Sequence, residues 1–129
     1  MVWKGCNVRR NWYAAALLLL LAFALCGGGN YVARSTKQLD QDLSAAYTCA
    51  EARQFSAAKS AFHAAANQSK EASAIWYLLI RRSLVDQLNQ TLATIPSYVS
   101  EENLADLAVE TARAREQVCQ IRQSFFSWF

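Results

Sequence analysis

The sequence predicts an all-α protein: an N-terminal membrane-spanning helix followed by a small antiparallel bundle of three helices, or four if the second is divided. Three observations carry this. Four glycines and one proline punctuate 129 residues, and three of those glycines are consecutive, so there are few places to turn. Residues 11–33 contain no charged side chain. Beyond them, apolar positions recur alternately three and four residues apart, as they do on a helix face that packs against a partner helix.

Residues 1–10 form a basic head. Lys4, Arg9 and Arg10 account for the whole formal charge of +3, so ten Lys/Arg balance ten Asp/Glu from residue 31 onward. A neutral body argues against nucleic-acid binding, which concentrates basic charge on one face. A basic head beside an apolar run instead sets membrane orientation, with the N-terminus cytoplasmic and the body outside.

Residues 11–33 form the anchor, bracketed by Arg10 and Arg34. Twenty-three helical residues rise about 35 Å, enough to cross a hydrocarbon core of about 30 Å. Trp12 and Tyr13 stand where interfacial aromatics belong. A cleaved signal peptide would need small residues at its exit. Ala22-Phe23-Ala24 lies too deep in the run, and Ala24-Leu25-Cys26 is half suitable. A lipoprotein would carry its lipid on Cys26, but Leu25 is large for the preceding position. The retained anchor is the favoured reading.

Gly27, Gly28 and Gly29 then pose a geometric question. If the anchor ran straight into the first helix of the body, a second helix over 55–95 would return about 60 Å. It would carry Arg81, Arg82 and Asp86 into lipid, which is costly. Something must bend. The glycine triplet is the expected hinge; the polar stretch "NQSK" (67–70) is the other candidate break.

The body, 34–129, reads as three stripes. Val32, Thr36, Leu39, Leu43, Ala46 and Ala50 make the first. Phe55, Ala58, Phe62, Ala65, Ser69, Ala72, Trp76 and Leu79 make the second, which drifts on to Ile80, Leu84, Leu88, Thr91 and Ile95 as a four-residue stutter would make it do. Leu104, Leu107, Thr111, Ala114, Val118, Ile121 and Phe125 make the third. "ARQFS" (52–56) and "TIPSYVSEEN" (94–103) separate them. Pro96 disfavours helix at Ile95, and Ser100 with Glu101 and Glu102 suits a helix start.

The basic head, the single anchor, "QFSAAKSAF", "IWYLLIRRSLVDQL" and a last helix ending in aromatics together resemble a bacterial, clostridial-type family of small N-terminally anchored helical proteins, domain-of-unknown-function family number 4363. The resemblance implies an anchored extracytoplasmic helical domain and assigns no catalytic residues.

No catalytic constellation is visible. His63 has neither a nucleophile nor a carboxylate placed to work with it. Cys6, Cys26, Cys49 and Cys119 form no C-x-x-C pair, and "CGGGN" follows an apolar helix rather than a strand, so it is no phosphate loop. Neither cofactor nor metal is expected. Cys49 and Cys119 would meet an oxidising compartment, but helix register separates them by about 20 Å against a bridging limit of about 7 Å between Cα atoms; a break at Asn67 would reopen the pairing.

The tail "SFFSWF" offers more aromatics than one seam can bury. Phe125 continues the third stripe. Phe126, Trp128 and Phe129 either close off the core beside residues 66–70 or form a contact surface. The expected function is non-enzymatic: an interaction or accessory module, held in the bilayer by residues 11–33, for another membrane or envelope protein or for a second copy of itself. The alternatives are a ligand-sensing, ectodomain-like bundle and a lipoprotein. A receptor would add a second span and an output domain, which these residues do not contain.

Overall fold

The structure, a computed structural model, describes residues 2–127, with side chains from residue 8 onward. Four helices follow in order: α1 (Val2–Glu51), α2 (Phe55–Leu79), α3 (Arg82–Thr94) and α4 (Leu104–Phe126), with a 3-10 turn, Ile95–Tyr98, after α3. Among the described residues there is no strand. Each helix runs antiparallel to the one before. α1 packs against α2 and α4, and α3 closes the square by packing against the same two.

The predicted stripes are the core. All six positions of the first stripe are buried, as are Ala58, Phe62, Ala65, Ser69, Ala72 and Trp76 of the second and Leu107 to Phe125 of the third. Trp76 is fully buried, and its indole N–H donates to Ser35 Oγ at 3.0 Å. Seam hydroxyls mostly return to their own helix: Thr36 Oγ1 donates to the Val32 carbonyl at 2.6 Å. Thr111 Oγ1 is buried with no partner.

The bend lies elsewhere than expected. α1 is one continuous helix through Gly27, Gly28 and Gly29, so the glycine hinge is corrected: anchor and first body helix are one rod. Its 50 residues would span about 75 Å. Nor is there a break at 67–70, which lies inside α2. The reversal comes at Ile80 and Arg81, both in extended backbone. Ile80 still donates its N–H to the Trp76 carbonyl at 2.7 Å, and its side chain is buried. The apparent stutter is therefore a chain reversal that resets the phase. Val85, Leu88 and Leu92 are the core positions of α3, and Leu84 is only half-buried.

The other turns show how local signals were used. At the end of α1, the Arg53 N–H reaches the Ala50 carbonyl and the Gln54 N–H the Cys49 carbonyl, both at 3.0 Å. This double closure puts its left-handed residue where glycine is usual; here it is Arg53, φ 63°. Ile95 keeps helical angles despite Pro96, and the chain tightens into the 3-10 turn. α4 starts at Leu104, not at Ser100. Glu101 is released from any helix-dipole role and pairs instead with Arg53.

Candidate functional site at the anchor end of the bundle

α1 has two lives. From residue 8 to 27 every side chain is exposed, and the apolar ones are large: Leu17, Leu20 and Phe23 are 61%, 69% and 83% accessible. The seventeen uncharged residues among them, 11–27, rise about 25 Å, close to the thickness of a bilayer core. From Val32 onward the same helix lines the core. By length and composition, α1 is able to cross a membrane.

The junction between these two halves is built from close contacts at two of the glycines. A Cβ on Gly28 would stand 2.9 Å from Leu79 Cδ1, and one on Gly29 would stand 3.2 Å from Phe125 Cε1. The last residues of α2 and α4 thus seat directly on the α1 backbone. Gly27 has open space around it. Each glycine inside a helix costs about 1 kcal/mol relative to alanine, and at two of the three positions close packing offsets that cost.

Around this junction lies the floor of the bundle. Leu78 is 83% accessible and Phe126 is 46% accessible, its ring edge-on to that of Phe125 at 5.4 Å. A hollow of about 410 Å³ lies between Leu25, Cys26, Asn30 and Ala33 of α1 and the rings of Phe125 and Phe126. Arg81 and Arg82 are exposed on the reversal. The Arg82 guanidinium lies 5.3 Å from the centroid of the Tyr77 ring. Tyr77 donates to Asp86 Oδ1 at 2.6 Å, and that hydrogen bond, with some desolvation, raises the phenol's pKa.

Above the floor, a half-buried polar cluster joins α2 to α3. Ser69 Oγ donates to Asn89 Oδ1 at 2.7 Å, Asn89 Nδ2 donates to Ser73 Oγ at 2.9 Å, and Ser73 Oγ donates to the Ser69 carbonyl at 2.6 Å. On the opposite side, Arg115 donates to both oxygens of Asp40 across an open groove between α1 and α4. That carboxylate raises the Arg115 pKa.

Of the residues singled out by sequence, Phe126 is exposed at the floor, while Trp128 and Phe129 lie outside the described residues. The tail does not lie beside residues 66–70: Phe125 packs on Gly29, at the level of Leu79. Cys49 and Cys119 are both free thiols, so the pairing left open by sequence is corrected; register from the Asp40–Arg115 contact sets them about 20 Å apart along the axis. His63 is exposed on α2. Among the described residues no cluster of His, Cys, Asp or Glu could hold a metal ion. Leu78, Arg81 and Arg82 were missed as floor residues: the register of α2 on Gly28 sets the height of Leu78, and the reversal at Ile80 keeps the two arginines there.

The described residues thus make a four-helix bundle mounted, without a joint, on a helix able to span a bilayer. The chain belongs to the family described as "Domain of unknown function (DUF4363)", whose model matches residues 27–125. The match begins at Gly27, the first glycine of the triplet, and ends at Phe125, the ring that packs on Gly29. No curated protein and no solved structure matches the chain.

Proposed function

We propose that this is a non-enzymatic, single-pass membrane protein that holds a rigid helical bundle against the outer face of the cell membrane. Its N-terminus is cytoplasmic, its body is extracytoplasmic, and it serves as an interaction or accessory module for another membrane or envelope protein. The observation that carries this reading is the composition of α1: about 25 Å of exposed, uncharged helix over residues 11–27 running without interruption into the bundle core. Exposed apolar surface on this scale needs a cover, and a bilayer matches its length. Lys4, Arg9 and Arg10 at the near end favour the cytoplasmic side for the head.

Fusion of alkaline phosphatase after Phe129 tests orientation and retention together. The fusion is expected to be active and to remain in the membrane pellet after an alkaline carbonate wash. An inactive fusion contradicts the orientation, and activity in the soluble exported fraction contradicts the retained anchor.

A further inference from the structure

The body's ten cations and ten carboxylates cancel in number but not in position. The antiparallel register fixes their heights: Gly28 is level with Leu79, Gly29 with Phe125, Asp40 with Arg115, and Arg53 with Glu101. Arg34, Lys37, Lys70, Arg81, Arg82 and Arg122 all lie at least a few ångströms closer to the anchor than the Asp40–Arg115 pair, and all six are exposed. Only Glu71 and Asp86 oppose them there. The remaining carboxylates lie within one residue of that pair or nearer the far end, where Glu51, Glu101, Glu102 and Asp106 gather around the first and last turns. The bundle is therefore polarised along its axis, basic at the anchor end and acidic at the far end.

We infer that the floor of the bundle is a contact surface for anionic lipid headgroups. Leu78 and Phe126 would enter the interface, and Arg81 and Arg82 would meet lipid phosphates. This rests on the anchored reading above, and it commits to the membrane itself as the occupant of the floor. Three observations favour that occupant. The exposed apolar helix ends at residue 27 and the floor begins at Gly28, so the bilayer surface and the floor fall at one height. α1 has no joint by which the floor could swing away. The floor combines exposed apolar side chains with arginines, which suits an interface rather than water. The acidic end lies about 30 Å higher, several screening lengths away, so attraction to an anionic surface acts on the floor alone.

The test uses the full chain, with its cysteines replaced, in phosphatidylcholine vesicles with and without phosphatidylglycerol. An environment-sensitive fluorophore is placed at Ser83→Cys, beside the arginines, or at Ser60→Cys near the far end. Phosphatidylglycerol is expected to blue-shift the Ser83 probe and to increase its quenching by headgroup-labelled lipid. High salt or the R81Q/R82Q pair should reverse both effects, and the Ser60 probe should not respond. A Ser83 probe indifferent to lipid charge, in protein that resists carbonate extraction, overturns the lipid-binding floor alone; it leaves the anchor intact and points to a protein partner there. Protein stripped from the vesicles by carbonate overturns the anchored reading and this inference with it. A Ser60 probe that responds equally also overturns it, since the body would then lie flat.

Discussion

Two glycines decide how the anchor meets the body. An added methyl at Gly29 would press on Phe125, a ring held by its own burial, while at Gly28 it would meet the free end of the Leu79 side chain. At Gly27 it would meet nothing. Helix propensity favours alanine at all three positions by about 1 kcal/mol, whereas overpacking costs about 1–3 kcal/mol. The signs should therefore divide. Gly27→Ala is expected to raise the melting temperature of the bundle, followed by circular dichroism in detergent, by a few degrees. Gly29→Ala is expected to lower it by a similar amount. Equal stabilisation at both positions would show that Phe125 does not seat on the α1 backbone. Three adjacent glycines have one composition whether they form a hinge or a seat. What distinguishes the two is the neighbour across the helix, which lies nearly a hundred residues away in the chain.

The elements fared unevenly for a common reason. The stripes of α1, α2 and α4 were legible residue by residue, because a helix face repeats locally and needs no knowledge of its partner. The turn at Arg53 fell where the sequence placed it. The reversal at Ile80 was not legible: "LLIRRSL" holds no glycine or proline, and the residue at the cap of α3 is Arg81, which makes no side-chain cap hydrogen bond. Tertiary packing holds it, with Ile80 turned into the core and Asn89 of α3 bridging Ser69 and Ser73 of α2. Removing the amide leaves the buried Ser69 hydroxyl without its acceptor and takes one of the two bonds from Ser73 Oγ, which costs about 1–3 kcal/mol. Asn89→Ala should thus lower the melting temperature by several degrees. Asn67→Ala, at the break that sequence suggested, should leave it unchanged or slightly raised, since Asn67 is an exposed mid-helix residue. The opposite ranking would put the division of the second stripe back at 67–70.

At the scale of the whole molecule, the exposed apolar part of α1 and the bundle are joined by one continuous helix. Helix α2 ends at the height of Gly28, so Arg81 and Arg82 lie at the floor and do not continue alongside the exposed apolar part of α1. The conflict that seemed to demand a hinge is removed by shortening the second helix. The axial polarity of charge was likewise hidden in the sequence, where the body is neutral, because height along the bundle depends on the register of all four helices. Trp128 and Phe129 follow Phe126 in the chain, outside the described residues; of the three aromatics that sequence left between core closure and a contact surface, the structure describes Phe126, which is exposed at the floor. The central claim is that α1 is unbroken across the glycines, and a distance across them tests it. Spin labels at Ala15→Cys and Ala45→Cys, both exposed on α1, would be measured by pulsed electron resonance in the full chain in lipid nanodiscs. A continuous helix predicts a single narrow distribution near about 45 Å. A broad distribution reaching to much shorter distances would contradict it and restore the hinge.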